Sequence, residues 1–385
     1  CMVMKNAQWN MIPKDWDVVV LGEYSEIARG GSPRPIQDYL TSNCRGINWI
    51  KIGDVSKSSK YIFSTAEKII PEGVSKSRTV FSGDLILSNS MSFGRPYILK
   101  IDGCIHDGWL VIQNYQSVFD KEYLYYCLGS EFTIQQYISM AAGSSVQNLN
   151  KDKVSAVIIA KPPIKEQIAI AEALSNIDNL IFSLQKLIDK KKVIKQGAMQ
   201  ELLTGKKRLP GFYGDWRIVQ IGETLSIGHG QSQKAIENRF GKYPILATGG
   251  CIGYANDFLW DKPSVLIGRK GTIDKPQYAD HPFWTIDTLF YTKIFDGYDA
   301  KFIYYKFCMI DWQQYNEASG VPSLNTTTIE NLQIIVPEKD EQQAIAQLLS
   351  DMDSEIEQLE KKLSKYQQIK QGMMQELLTG RIRLV

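Results

Sequence analysis

Side chains that could catalyse a reaction or bind a metal are few in this chain of 385 residues, and their spacing matches no catalytic motif that we recognise. The three histidines, His106, His229 and His281, are far apart and lack cysteine or carboxylate neighbours at metal-ligand spacing, so we expect no metal site. A GxxxxGK[ST] run is also missing, which argues against a phosphate-binding loop of the ATP-motor type. These residues predict a chain that performs no bond chemistry of its own.

Three local patterns resemble parts of active sites, but each has a structural interpretation that fits better. The run "KPPI" (161–164) resembles the Asn/Asp-Pro-Pro-aromatic motif of amino-methyltransferases, but it lacks the polar amide and the aromatic, so it predicts a break before a helix. His106 and Asp107 could form an acid–base pair, yet adjacent residues on a strand would point to opposite faces. The run "ARGGSPRP" (28–35) is glycine-rich without GxGxxG spacing and is typical of a loop or turn.

The dominant feature of the sequence is an internal repeat. Residues 166–205 and 341–380 are identical at 23 of 40 positions, at an offset of 175. A second match, "DWDVVVLGE" (15–23) with "DWRIVQIGE" (215–223), has an offset of 200. The chain therefore contains two copies of one unit, each a globular segment followed by a charged, periodic segment.

The periodic segments predict two long helices with a coiled-coil seam. Prolines precede both segments, and Gly205 and Gly380 lie where each helix should end. Because residues 206–335 must return the chain between them, we expect an antiparallel pair, although heptads alone fit any two long helices in a bundle. The predicted seam residues are Ile170, Leu174, Ile177, Ile181, Leu184 and Ile188 in the first helix and Ile345, Leu349, Met352, Ile356, Leu359 and Leu363 in the second.

The globular segments combine short apolar runs with polar loops, which predicts mixed α/β domains. The runs "KEYLYYCL" (121–128) and "AKFIYYKF" (300–307) indicate amphipathic helices. The predicted fold class is α+β, with a pseudo-twofold repeat of two mixed α/β domains separated by two long antiparallel coiled-coil helices. The predicted boundaries are 1–160 for the first domain, 161–205 for the first spacer helix, 206–335 for the second domain and 336–385 for the second spacer helix.

Composition limits the remaining classes of protein. The chain is 44% hydrophobic and 22% charged, with a net charge of +2, so any basic surface must be local. No apolar run reaches the roughly 18 residues that span a bilayer. The six cysteines lack CxxC spacing, which favours the reduced cytoplasm over a disulfide scaffold. We therefore expect a cytoplasmic protein with no membrane partner.

The succession of globular domain, long helix, globular domain and long helix resembles the specificity (S) subunit of Type I restriction–modification systems. The resemblance covers essentially the whole chain. It rests on the "DWxxxxLGE" domain starts, on the "QELLTG" helix ends and on the helix-start residues, which are Ile170, Leu174, Ile177, Asp178 and Ile181.

This resemblance implies that each globular unit is a target-recognition domain that reads one half of a bipartite, asymmetric site in double-stranded DNA. It implies that the helices set the spacer and dock two methyltransferase (M) subunits, which restriction/translocase (R) subunits join. The chain itself would need no cofactor, and S-adenosylmethionine, ATP and magnesium would act only in partner subunits.

Polar loop residues are the predicted DNA contacts, because guanidinium, ammonium, amide and hydroxyl groups recognise base edges and phosphates. Solvation or helix capping is the alternative for each of them, and Asn150 and Asn325 are predicted to cap short helices. The candidates are Ser32, Arg34, Asn89, Ser90, Arg95, Ser144, Ser145 and Gln147 in the first domain, and Gln231, Gln233, Lys234, Arg269, Lys270, Thr272 and Ser319 in the second.

Two positions within the duplicated helices carry further expectations. Lys195 and Lys370 lie on the seam, where they could fix the register or reach solvent beyond a splayed coil, and we favour the second interpretation. Gly197 and Gly372 predict a close backbone approach, because glycine costs roughly 1 kcal/mol against alanine inside a helix.

Two other functions remain open. The chain could be an enzyme, such as a single-chain methyltransferase or nuclease, although the motifs for these are missing. It could also be a coiled-coil scaffold without DNA specificity.

Overall fold

Short, largely buried strands form both globular segments in the computed structural model, which describes residues 12–55, 59–89, 94–141 and 148–384. The chain divides into two compact units. Unit 1 comprises Cys1–Ser183 with Leu363–Val385, and unit 2 comprises Leu184–Lys362. Each unit therefore contains one globular domain, part of the long helix that follows it and part of the other long helix.

The domain of unit 1 contains two five-stranded sheets of orders β3-β6-β4-β10-β7 and β2-β11-β8-β9-β5, and a two-stranded sheet β1-β12. Its strands are Asp17–Val20 (β1), Glu26–Arg29 (β2), Leu40–Thr41 (β3), Ile47–Ile50 (β4), Tyr61–Ile62 (β5), Glu67–Ile69 (β6), Arg78–Val80 (β7), Leu85–Ser88 (β8), Pro96–Leu99 (β9), Gly103–Ile105 (β10), Trp109–Gln113 (β11) and Ile158–Lys161 (β12). Its helices are Lys121–Leu128 (α1), Glu131–Ala141 (α2) and Lys151–Ser155 (α3), and the first long helix, Ile164–Leu202 (α4), follows.

The domain of unit 2 contains sheets of orders β14-β20-β17-β18, β16-β15-β19 and β13-β21. Its strands are Arg217–Gln220 (β13), Leu225–His229 (β14), Tyr243–Ala247 (β15), Gly250–Ala255 (β16), Ser264–Gly268 (β17), Gln277–Ala279 (β18), Trp284–Thr285 (β19), Leu289–Ile294 (β20) and Gln333–Val336 (β21). Its helices are Ala300–Met309 (α5) and Thr326–Asn331 (α6), and the second long helix, Lys339–Leu377 (α7), follows.

Local sequence signals place helices α1, α3, α5 and α6 where they were predicted. Helices α1 and α5 begin after Asp120 and Asp299, whose side chains accept hydrogen bonds from the third helical residue. Asn150 and Asn325 cap α3 and α6 in the same way, at 2.9 and 2.7 Å from the nitrogens of Lys153 and Thr328. The capping interpretation of both asparagines is confirmed.

The two long helices have 39 residues each, or about 58 Å at 1.5 Å per residue. Helix α4 begins directly after Pro163, and each helix is followed by a glycine with φ of +71°, Gly205 or Gly380. Within unit 2, Lys191 pairs with Glu355 and Lys195 pairs with Asp353, so residue numbers rise along α4 as they fall along α7. The helix pair is antiparallel, as predicted.

The predicted seam residues are all at least half-buried, but their neighbours differ along each helix. Ile170 and Leu174 belong to the core of domain 1, and Ile345 and Leu349 belong to the core of domain 2. The first turns of each seam therefore pack into a domain core. Among the others, Ile177, Leu184, Ile188 and Ile356 are buried, and Ile181, Met352, Leu359 and Leu363 are half-buried.

Two expectations for the duplicated helices are wrong. Lys195 and Lys370 do not extend into solvent beyond a splayed coil: their side chains are only 21% and 27% exposed, and each forms an ion pair with an aspartate of the other helix. A Cβ built on Gly197 or Gly372 would meet no atom within 4 Å in the described chain, so no backbone approaches either glycine. An aspartate compensates the charge of each lysine, so the ammonium does not have to extend into water. The two helices therefore stay paired at these positions.

Candidate nucleic-acid interface

Three loops of unit 1 meet at Asp107, and we name this cluster of Ser32, Arg34, Asn89 and Asp107 junction 1. The Ser32 hydroxyl donates to Asp107 Oδ1 at 2.7 Å, and the Arg34 guanidinium lies 3.6 Å from Asp107 Oδ2. The Asn89 amide nitrogen donates to the Asp107 carbonyl at 2.8 Å. Asp107 thus brings together three predicted DNA contacts, of which Asn89 is itself buried.

Sheet order explains why these loops converge. Strands β2 and β8 both pair antiparallel with β11, one on each side of it. Their last residues, Arg29 and Ser88, therefore lie beside the first residues of β11, and the loops that follow both strands emerge at the turn before it.

Unit 2 builds the same arrangement from different residues. Strands β14 and β17 flank β20, so the loops after both strands meet the turn that contains Asp287. The Arg269 backbone nitrogen donates to the Thr288 carbonyl at 2.8 Å, and its guanidinium donates to the Asp287 carbonyl at 3.4 Å. Asn89 makes the equivalent bonds to Gly108 and Asp107 in unit 1. We name the cluster of Arg269, Asp287 and Thr288 junction 2.

A glycine permits the first loop to approach each junction. A Cβ on Gly30 would lie 2.2 Å from the His106 carbonyl oxygen, and a Cβ on Gly230 would lie 1.9 Å from that of Ile286. No side chain fits at either position, which explains why this glycine occurs in both repeats.

A fourth loop joins each junction from the start of the short helix. The Leu149 nitrogen donates to the Asn89 carbonyl, and the Leu324 nitrogen donates to the Arg269 carbonyl, both at 3.0 Å. In unit 2, Lys270 also forms a β-bridge with Ser323. The predicted contacts Ser90, Ser144, Ser145 and Gln147 lie outside the described residues.

The other predicted contacts lie in the same loops with differing exposure. Gln231 and Lys234 are exposed after β14, with the half-buried Gln233 between them. Exposed Lys270 and half-buried Thr272 follow Arg269, whereas Ser319 is exposed in the loop before α6. Arg95 lies over the Tyr97 ring at 5.5 Å, which makes it partly a packing residue.

Junction 1 combines a half-buried anion, Asp107, with an exposed cation, Arg34. Burial opposes ionisation of Asp107, but the Ser32 hydrogen bond and the charge of Arg29 lower the pKa of its carboxyl overall. Burial lowers the pKa of His106, so the imidazole is neutral at pH 7. Arg34 is 83% exposed, so its guanidinium remains accessible to a phosphate or a base edge.

His106 and Asp107 are in contact, so the prediction that their side chains point to opposite faces is wrong. These residues follow β10 in a turn, where strand alternation does not apply, and His106 Nε2 lies 3.2 Å from Asp107 Oδ1. The turns "HDGW" (106–109) and "IDTL" (286–289) organise the two junctions and are related by an offset of 180. The offsets of 175 and 200 do not align these turns, so their role was not predicted from the sequence.

Metal sites and membrane spans are not found among the described residues. They contain no group of three or more His, Cys, Asp or Glu placed to hold a metal ion. None of the described helices combines the length and apolar character needed to cross a membrane.

Comparison with known proteins places both repeats in one family. The model of the Type I restriction modification DNA specificity domain matches residues 13–196 and 213–371. The Type I restriction enzyme MjaVIII specificity subunit of Methanocaldococcus jannaschii is 24% identical to this chain, over 97% of this chain and 94% of that protein. The Type I restriction enzyme EcoprrI specificity subunit of Escherichia coli is 20% identical over 80% of each.

Solved structures show the same fold. The S subunit of a Type I restriction–modification system from M. genitalium matches with a TM-score of 0.67 at 15% identity, over 98% of both chains. A chain from a study of complex assembly and conformational transition of the type I R-M system matches with a TM-score of 0.59 at 17% identity, over 96% of this chain and 99% of that one. The predicted fold class is confirmed.

Proposed function

We propose a division of roles within this chain from the premise that it belongs to the Type I restriction modification DNA specificity family, whose model matches both repeats. The chain is a specificity subunit of a Type I restriction–modification system. Junctions 1 and 2 are the proposed centres of DNA reading, one for each half of a bipartite site.

One observation carries this assignment: equivalent backbone positions hold different polar side chains. Asn89 occupies in junction 1 the position that Arg269 occupies in junction 2, with matching backbone hydrogen bonds. Asn89 is 1% exposed and holds the loops of junction 1, where the exposed Arg34 is accessible to a base edge. In junction 2 the half-buried Arg269 guanidinium itself suits the O6 and N7 edge of guanine. Two junctions with one framework and different side chains fit two half-sites of different sequence, which a homodimer could not read.

The helices are the proposed spacer between half-sites. At about 58 Å they exceed one turn of DNA, which advances about 34–36 Å, so they are long enough to separate two half-sites by a turn. Each helix also presents an uncovered glycine, Gly197 or Gly372, at equivalent places that a methyltransferase subunit could approach.

Catalysis belongs in this proposal to partner subunits. Two methyltransferase subunits would supply S-adenosylmethionine chemistry, and restriction/translocase subunits would use ATP and magnesium. Relatives of this chain carry specificity-subunit names, and one structural neighbour comes from a study of complex assembly, which supports such partners.

Methylation mapping tests the proposal directly. The chain is co-expressed with its methyltransferase in a host that lacks the system, and methylated positions are read by single-molecule sequencing. We expect one bipartite motif. Absence of any discrete motif would favour a scaffold without specificity, and methyl transfer by the purified chain alone would favour an enzyme.

A domain exchange sharpens this test. Replacing residues 1–160 with the equivalent segment of a relative should change one half of the motif and leave the other half unchanged. A change in both halves would refute the assignment of one domain to one half-site. The matched control replaces residues 206–335, which should change only the opposite half.

A further inference from the structure

Each unit contains a triangle of polar side chains in which a helix, the opposite helix and the recognition domain meet. In unit 1 the triangle consists of Tyr126, Asp178 and Lys370, and in unit 2 it consists of Tyr305, Asp353 and Lys195. The tyrosines lie on α1 and α5, and each aspartate lies on the long helix that follows its domain.

The two triangles have nearly the same geometry. In unit 1, Asp178 Oδ1 lies 2.6 Å from Lys370 Nζ, and Oδ2 accepts from the Tyr126 hydroxyl at 2.7 Å. In unit 2, Asp353 Oδ1 lies 2.5 Å from Lys195 Nζ, and Oδ2 accepts from the Tyr305 hydroxyl at 2.7 Å. Each ammonium also lies over its tyrosine ring, at 5.7 Å in unit 1 and 5.5 Å in unit 2.

Burial makes the loss of these contacts costly in free energy. The two lysine side chains are 21–27% exposed, so a lysine without its aspartate would be largely desolvated. Burial, reinforced by the neighbouring aspartate, raises the pKa of Tyr126 and Tyr305, so both hydroxyls remain donors over the physiological range. Unit 1 adds Lys60, which donates to the Tyr126 hydroxyl and to Ser175, both at 3.1 Å.

The apolar seam alone leaves the register ambiguous. A slip of seven residues keeps a heptad seam in contact, and it moves one helix by about 10.5 Å, close to the rise of three base pairs at about 3.4 Å each.

The lysines distinguish the possible registers. After a slip in one direction, Lys195 would face Ala346 and Lys370 would face Ala171. After a slip in the other direction, Lys195 would face Glu360, but Lys370 would face the uncharged Gln185. Only the observed register gives each lysine an aspartate that is also bound to a tyrosine of the recognition domain.

We propose that both triangles are positioning residues that hold the helices and the recognition domain of each unit at one register, and so determine the length of the unread spacer. This inference rests on the proposed function. A polar pair within an apolar seam is a known means of specifying register at a cost in stability.

The test uses the complete chain in complex with its methyltransferase. Both half-sites are held constant in a set of DNA duplexes, and the spacer varies from three base pairs shorter to three longer than in the wild-type motif. The initial rate of methylation is measured on each duplex. The readout is the ratio of the rate at the wild-type spacer to the rates at the others, which a purely structural role would leave unchanged.

We expect Lys195→Met to lower this ratio by about tenfold, which corresponds to ~1.4 kcal/mol. Exchanging the charges, Lys195→Asp with Asp353→Lys, should restore it, because the introduced ammonium can donate to the Tyr305 hydroxyl. Tyr305→Phe keeps the ion pair but removes the hydrogen bond between the helix and the domain, and should also broaden the spacer preference. Lys192→Met is the matched control, since it breaks a more exposed ion pair between the same helices, with Glu360.

An unchanged ratio in Lys195→Met or Tyr305→Phe, even with a lower total rate or stability, would overturn the proposal. So would failure of the exchanged pair to restore the ratio. Failure of the proposed function has a different signature, because the wild-type complex would then methylate no bipartite motif at all.

Discussion

Replacing Lys306 with methionine should change how the stability of unit 2 depends on pH. The Lys306 side chain is almost fully buried, and its ammonium donates to the Leu203 carbonyl at the end of α4, at 2.8 Å. The centroids of the Trp216 and Phe302 rings lie 6.0 and 5.9 Å from the same nitrogen. Burial lowers the pKa of this lysine to about 8.

The sign of the effect follows from proton binding. Between pH 8 and the ordinary lysine value of 10.5, the unfolded chain holds the proton and the folded chain releases it. The free energy of unfolding therefore rises with pH across this window. Because one pKa unit corresponds to about 1.4 kcal/mol, the wild type should gain about 3 kcal/mol that the Lys306→Met variant does not gain.

At pH 7 the substitution removes this cost of about 3 kcal/mol and loses one hydrogen bond to a buried carbonyl, which costs about 1–3 kcal/mol. Lys306→Met should therefore be as stable as the wild type or slightly more stable at pH 7, and less stable near pH 10.5. Urea unfolding followed by tryptophan fluorescence, at pH values from 7 to 10.5 with reductant present, measures both quantities.

Lys301→Met is the control, because Lys301 lies on the same helix and is half-exposed. The difference between Lys306→Met and this control isolates the buried amine from other groups that titrate at high pH. Parallel pH profiles for the wild type and Lys306→Met would refute the reasoning, since a buried ammonium must show this linkage.

Three further predictions concern other parts of the chain. Glu166 is fully buried and accepts hydrogen bonds from the Trp16 indole and from Arg383, so Glu166→Ala should lower the free energy of unfolding. Glu172→Ala, at an exposed position on the same helix, should not lower it. Equal effects of the two substitutions in urea unfolding would contradict this. The expected loss is about 1–3 kcal/mol, because the Trp16 indole loses its acceptor whereas Arg383 keeps its ion pair with Asp15. Gly30→Ala and Gly230→Ala should each abolish recognition of one half-site in methylation mapping, because the added Cβ would clash with a carbonyl oxygen. Gly249→Ala is the control and should not affect recognition, because its Cβ would point into open space. Gly197→Ala should stabilise the isolated chain by up to roughly 1 kcal/mol, because the added Cβ would contact nothing in the described chain. A lower stability of the variant, measured by calorimetry, would show that this space is occupied.

Much of the architecture could be predicted because its signals are local. Heptad spacing, preceding prolines and terminal glycines predicted both long helices, and α4 and α7 end within three residues of Gly205 and Gly380. The run "KEYLYYCL" predicted α1 with its observed bounds, and Asn150 and Asn325 cap as expected. Each of these features depends on residues within a few turns of one another.

The candidate site could be predicted only in outline. Composition and turn signals identified the loops that hold Ser32, Asn89 and Arg269, but nothing local indicated that Asp107 and Asp287 would organise them. Ser32 and Asp107 are 75 residues apart, and they meet because β2 and β8 both pair with β11. Sheet order is a property of the whole domain, so a scan for local motifs does not detect it.

Duplication and periodicity can be read directly from the order of the residues, so the twofold repeat of domain and helix was predictable without a structure. The packing of each domain on the start of one long helix and the end of the other became visible only in the fold. The fold also decided that Lys195 meets Asp353, 158 residues away, instead of reaching water. A lysine on the seam must either contact solvent or pair with an acidic side chain. Which of the two is possible depends on the register of a helix that is distant in sequence.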